Sequence, residues 1–145
     1  MPGEMDRANS RNVVIIGDGS DRVEVDHNKV FNTPLNSGQE TGAGIWIKHA
    51  SEIPGAHFDI HDNIVRDVYF SAIGSQSLNV RMHHNLIVNG APFTTSGGDN
   101  VTTLRGFVLD HNTWVGSSAF SAHDVSDILP IADFLEFRDN VVVDN

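Results

Sequence analysis

The 145-residue chain contains no cysteine. Disulfide scaffolds, cysteine-ligated zinc and thiol nucleophiles are therefore excluded. Positive charge is scarce as well: nine Lys and Arg stand against 19 Asp and Glu, a formal charge of −10 at pH 7, and no basic patch interrupts that balance. Binding nucleic acid through its phosphates needs clustered Lys and Arg, so nucleic acid is not an expected partner. No apolar run approaches the ~18 residues a membrane-spanning helix requires, and residues 1–7 have neither the basic start nor the apolar stretch of a secretion signal. A membrane is likewise not expected as a partner. Ala-, Leu- and Lys-rich stretches that build long helices are rare. Val, Ile, Leu and Phe together supply 42 residues, with 13 Gly and 13 Asn beside them. Short strands joined by many turns suit this composition.

What the sequence does contain is a repeat. Five segments align on one asparagine, at Asn28, Asn63, Asn85, Asn112 and Asn140, with intervals of 35, 22, 27 and 28 residues. Counted from that Asn, positions −5, −3 and +2 are apolar in all five copies, fifteen of fifteen, where the overall composition would place about six by chance. Positions −5 and −3 form the same-face pair of a strand, and +2 falls on a second short strand beyond a bend. Position +4 is Asn32, Asp67, Asn89, Gly116 or Asp144, all turn-formers. Each copy reads as strand, corner, strand, turn. Antiparallel hairpins would need turn signals every 8 to 12 residues or so, whereas here the same residue returns at one corner each time. A chain that winds and stacks its strands in parallel fits better. Asn tolerates the left-handed backbone a corner demands, so the ladder Asn is expected to occupy it. Its amide can then bond to identical amides about 4.8 Å above and below.

These segments resemble the right-handed parallel β-helix repeats of the pectate-lyase-like superfamily, and the pattern covers most of residues 13–145. The expected fold is all-β, a right-handed parallel β-helix of about five coils with an internal Asn ladder. A third strand per coil is expected upstream of each copy, at 13–16, 45–48, 71–73, 93–95 and 120–122. The longest interval accommodates an exposed loop at 33–44, and further excursions are expected at 96–105 and 123–133. Residues 1–12 form a short polar segment. Neither it nor the Val141–Asn145 stretch is an adequate cap for a solenoid end. Residues 13–145 are thus expected to be a fragment of a longer solenoid, or to have their open ends covered by further coils or a homo-oligomeric partner.

Two groups of residues bear chemistry. The first is the pair preceding each ladder Asn: Asp26-His27, His61-Asp62, His83-His84, Asp110-His111 and Arg138-Asp139, which hold five of the eight histidines. Stacking brings such groups close enough to share a metal or to couple as acid and base. A straight column offers two ligands at a time where a metal needs three or four, so no metal site is assigned and the pairs read as polar corner residues facing water. The second group lies on the upstream strand. With Ile45 and Ile47 pointing inward, Trp46 and Lys48 point outward, followed by His49; neighbouring coils add Asp18 and Asp21, Asp99 and Arg105, and His123 and Asp124. An exposed Trp among polar groups suits a sugar ring, stacking on its apolar face.

On the resembled lyases this face carries the cleft, which implies a polysaccharide partner and, for the parent protein, an extracellular or cell-surface location in a bacterial or phage setting. Elimination from a uronate-containing glycan needs a base near the C5 proton and a positive group for the developing enolate. Lys48, His49, Arg105 and His123 are the candidate catalytic residues, with Trp46 and Asp124 binding substrate. The Asp residues are oxygen donors of the type calcium takes, and calcium is the one cofactor considered. Hydrolysis, needing two facing carboxylates, and epimerisation rank below elimination. His83-His84-Asn85 is similar to the His-His-Asn of classical pectate lyases, but the following Arg-x-Pro is absent and Ala91-Pro92 stands near its place. The Gly-His-Gly and Arg-Ile-Lys of polygalacturonases and the Asp-Pro-His-Asp of alginate epimerases are also absent. The alternative expectation is a non-catalytic β-helix scaffold, adhesin or tailspike segment.

Overall fold

A computed structural model of the chain describes residues 14–16, 22–33, 43–47, 57–68, 71–75, 79–90, 93–96, 106–116, 120–123 and 135–143. These residues form fifteen strands, and there is no helix among them. In chain order the strands fall into triplets: β1 (Val14–Ile16), β2 (Val23–Asp26) and β3 (Lys29–Thr33); β4 (Ala43–Ile47), β5 (Phe58–His61) and β6 (Ile64–Val68); β7 (Ser71–Ser75), β8 (Val80–His83) and β9 (Leu86–Val88); β10 (Phe93–Ser96), β11 (Phe107–Asp110) and β12 (Thr113–Val115); β13 (Phe120–His123), β14 (Leu135–Arg138) and β15 (Val141–Val143). Each sheet takes every third strand. The orders are β1-β4-β7-β10-β13, β2-β5-β8-β11-β14 and β3-β6-β9-β12-β15.

Every pairing is parallel, and the register superposes one repeat on the next. Position −3 runs Val25, Ile60, Met82, Leu109, Phe137 across the second sheet. Position +2 runs Val30, Val65, Ile87, Trp114, Val142 across the third. Because equivalent residues stack, the apolar pattern becomes three continuous stripes, and side chains from all three sheets meet in one core that includes Ile45, Ile47, Ile60, Ile73, Met82, Ile87, Leu109 and Trp114. Full burial of each large apolar side chain contributes roughly 1.5–3 kcal/mol. Trp114 is fully buried and stacks on Phe137 with ring centroids 6.0 Å apart; its indole N–H has no hydrogen-bond acceptor among the described residues.

The strands are separated by left-handed residues at fixed places. Position −1 has φ of 53–55° in all five repeats, at His27, Asp62, His84, His111 and Asp139. Position −6 is left-handed at Arg22, Asn79 and Gly106, and position +4 at Asp67, Asn89 and Gly116. The corner conformation thus falls one residue earlier than expected, on the residue before the ladder Asn. The reason is that the Asn side chain serves as the clamp. Its amide must reach the carbonyl of position −2 across the corner, which leaves the intervening residue to make the turn. At Gly106 (φ 74°) a side chain would be strained by the backbone, as it is at Arg22 and Asn79, and an added Cβ would in addition run into Asn79 of the preceding repeat.

Candidate functional site

The ladder that builds the corner is hydrogen-bonded throughout. Asn63 Nδ2 donates to the carbonyl of His61 in its own repeat (2.8 Å), to the carbonyl of Val25 in the preceding one (2.8 Å) and to Asn85 Oδ1 (3.0 Å). Asn85 and Asn112 repeat the pattern, donating to Ile60 and His83 and to Met82 and Asp110 respectively. Each Oδ1 also accepts the backbone N–H of the preceding ladder Asn, as in Asn28 N to Asn63 Oδ1 and Asn85 N to Asn112 Oδ1, both 3.0 Å. Asn63, Asn85 and Asn112 are buried, with their side-chain amides used in both roles. A buried amide left unpaired would cost about 1–3 kcal/mol, so this satisfaction is what makes a polar column tolerable inside the structure.

Outside the same corner the second sheet carries a cluster of imidazoles and carboxylates. The left-handed turn at position −1 projects His27, Asp62, His84 and His111 into solvent, while the strand period of two puts positions −2 and −4 on one face. His61 and His83, paired across β5 and β8, stack with centroids 4.8 Å apart and planes 14° from parallel. His84 and His111 stack likewise at 5.1 Å and 13°. His83 and His84 meet edge to face at 5.1 Å, and His27 approaches His61 at 6.4 Å, so five histidines are in ring contact along the ridge.

Carboxylates hold both nitrogens of His61: Nδ1 lies 2.8 Å from Asp62 and Nε2 2.8 Å from Glu24. The hydrogen bond to Asp62, then that to Glu24, raises the His61 pKa above its usual value, and His61 in turn lowers that of Asp62. His83 has Nε2 2.7 Å from Asp59 and Nδ1 2.8 Å from His84 Nδ1. Burial is the largest influence on His83 and pushes its pKa down, against the pull of the Asp59 carboxylate. One repeat further on, the carboxylate of Asp110 is only 2% exposed and receives a two-pronged hydrogen bond from Arg81 at 3.1 and 3.0 Å, with His111 Nδ1 at 3.1 Å. The Arg81 bonds hold the Asp110 pKa down at about 2.

The ridge therefore differs from a row of corner residues that merely face water. His27 and His111 are well exposed, but the imidazoles of His61 and His83 are 15% and 14% exposed and bonded on both nitrogens. It also supplies more than two ligands at a time. Asp59, at position −4, joins His61 and His83 so that one ligand atom from each lies within 4.8 Å of the others. Reasoning along the columns missed this carboxylate. The period-two rule that placed −5 and −3 inside also places −4 and −2 together outside, and that signal would have found it.

Of the residues expected to line a sugar cleft, Trp46 lies in β4, half-buried between fully buried Ile45 and Ile47. His123 ends β13, where its backbone pairs with Ser96 of β10. Lys48, His49, Arg105 and Asp124 lie outside the described residues, as do Asp18, Asp21 and Asp99. No known family model, curated protein or solved structure matches this chain.

Proposed function

We propose that the chain winds as a right-handed parallel β-helix of about five coils and that it interacts with polysaccharide through the face of its first sheet. The three parallel sheets with a strand order of every third element, and the continuous Asn ladder, support the winding. Trp46 carries the binding assignment. It emerges between two buried isoleucines, and in the register of the first sheet its backbone neighbours are Ile15 on one side and Gly74 on the other. A half-buried indole on the outward side of a strand offers a flat surface on which the apolar face of a sugar ring stacks, with neighbouring polar groups reading the hydroxyls.

Within this reading the chain belongs to an extracellular or cell-surface protein, and Lys48, His49, Arg105, His123 and Asp124 are the groups that would convert binding into β-elimination on a uronate-containing glycan. The test is a panel of uronan and neutral polysaccharides, following tryptophan fluorescence for binding, ultraviolet absorbance for unsaturated product and reducing ends for hydrolysis. Saturable binding that Trp46→Ala abolishes supports the assignment, and unsaturated product supports a lyase. Binding without product identifies a non-catalytic scaffold or adhesin. Absence of binding by any member of the panel overturns the polysaccharide reading.

A further inference from the structure

We propose that Asp59, His61 and His83 form a binding site for a single divalent transition-metal ion of the zinc class. Two imidazole nitrogens and one carboxylate oxygen are the donor set that Zn²⁺, Co²⁺ and Ni²⁺ take, whereas Ca²⁺ and Mg²⁺ prefer oxygen alone. The three ligands come from two adjacent strands. Asp59 and His61 are two residues apart on β5, hence on one face, and His83 is the direct neighbour of His61 on β8. Parallel pairing therefore sets the separation of the two imidazoles, and the strand period sets that of Asp59 from His61.

The surroundings already orient the donors. In both histidines Nδ1 is engaged by a neighbour, Asp62 for His61 and His84 for His83, and Nε2 is turned toward a carboxylate of position −4. At His61 the Asp62 carboxylate on the far nitrogen fixes the ring orientation and strengthens the near nitrogen as a ligand, the arrangement usual around protein-bound zinc, while at His83 the His84 imidazole holds the ring. At His61 the ion takes the place of the proton between Nε2 and Glu24, which leaves to solvent while Nδ1 keeps the proton it shares with Asp62; at His83 the proton moves from Nε2 to Nδ1, where it is donated to His84, so both imidazoles bind as neutral ligands. Ligand atoms now within 4.8 Å of one another close to about 3.3 Å, the edge of a tetrahedron with ~2.05 Å bonds. Closing the set calls for rotation of three side chains that share the outward face of the sheet. Asp59 is 35% exposed, so the ion stays open to solvent on one side. Water, or the exposed Glu24 carboxylate beside His61, completes the shell.

The set occurs at one place along the ridge for a chemical reason. Position −4 reads Glu24, Asp59, Arg81, Val108, Glu136, and position −2 reads Asp26, His61, His83, Asp110, Arg138. In the third and fourth repeats Arg81 and Val108 stand at −4 in place of a carboxylate, Asp110 is already held by Arg81, and in the fifth Glu136 pairs with Arg138. Only the second and third repeats bring two −2 histidines beside a −4 carboxylate among the described residues.

The experiment is calorimetric titration of the whole chain with zinc in a non-chelating buffer, with calcium and magnesium titrated separately. One zinc ion per chain is expected, with Asp59→Asn and His83→Gln each weakening binding by about tenfold or more and His111→Gln, on the exposed column, leaving it within about twofold. Because either ligand variant can perturb folding, the unaltered chain is also followed by long-range ¹H–¹⁵N spectroscopy of its imidazoles. Zinc should shift Nε2 of His61 and His83 while their Nδ1 stays protonated or hydrogen-bonded. The proposal is overturned if zinc does not bind saturably, if both ligand variants bind it as the unaltered chain does, if calcium binds the same site as tightly, or if other histidines respond in place of His61 and His83.

Discussion

His27, Asp62, His84, His111 and Asp139 share φ values of 53–55° although their chemistry varies. A left-handed backbone costs an ordinary residue about 1–2 kcal/mol, less for Asp, Asn and His. The ladder Asn offsets that cost by bonding across the turn to the carbonyl of position −2, so the conformation is imposed on whichever residue stands between them. This leaves position −1 free to carry imidazole or carboxylate. In the second, third and fourth repeats position −2, held closer to the sheet, carries the buried or half-buried His61, His83 and Asp110, of which Asp110 makes a two-pronged pair with Arg81. Since the folded pKa of Asp110 is about 2, below the ordinary carboxylate value of 3.8, its contribution is present above pH ~4 and is lost as pH falls toward 2. Arg81 is 47% exposed and screened by water, which discounts the full linkage value to about 1 kcal/mol. Urea denaturation should show Asp110→Asn less stable than the parent by that order near neutral pH, with the gap narrowing between pH 4 and 2. A gap that does not change with pH would show that the carboxylate's charge contributes nothing.

At the scale of the strand, parallel register is what converts a local pattern into structure. Val25, Ile60, Met82 and Leu109 are neighbours only because β2, β5, β8 and β11 pair without slippage. A one-residue slip would turn each apolar row outward. The first sheet approaches the third closely at Gly44 of β4, where an added Cβ would lie 2.6 Å from the Ala72 carbonyl oxygen and 3.1 Å from a Val65 methyl. A backbone oxygen cannot swing aside as a side chain does, so the strand itself must shift. Gly44→Ala is expected to cost about 1–3 kcal/mol in chemical denaturation. A neutral or stabilising result would mean that β4 sits further from β7 than this register allows.

Over the molecule as a whole the core is not uniform. The middle repeats are sealed, with Ile60, Val65, Met82, Ile87 and Leu109 fully buried. In the last described strands the equivalent residues are not: Phe137 is 45% exposed and Val142 48%. Position +2 therefore offers an internal comparison, because Ile87 and Val142 occupy the same place in the repeat. Ile87→Ala should cost about 2–4 kcal/mol, and Val142→Ala less than about 1 kcal/mol, when thermal or urea unfolding of the chain is followed. Comparable losses at the two sites would show that something covers β14 and β15 in solution, as the expectation of further coils or a second copy requires.

The parallel strands, their three-per-repeat order and the Asn ladder were legible in the sequence because stacked repeats reuse one pattern: equal positions must meet equal environments, so fifteen apolar positions and five asparagines suffice to reveal it. The third strand of each repeat, lacking an aligned motif, is legible too: the expected segments 13–16, 45–48, 71–73, 93–95 and 120–122 fall within two residues of the bounds of β1, β4, β7, β10 and β13. The sequence pattern did not determine which residue of the corner takes the left-handed backbone, because Asn, Asp and His all tolerate it and the choice depends on where the Asn amide finds its carbonyl. Nor did it determine the company kept by His61 and His83. Their neighbours Glu24, Asp59, Asp62 and His84 include residues up to 37 positions away, brought within hydrogen-bond distance by parallel pairing and strand period acting together. Chemistry that runs along one column can be read from the sequence. Chemistry that crosses columns exists only once the strands are stacked.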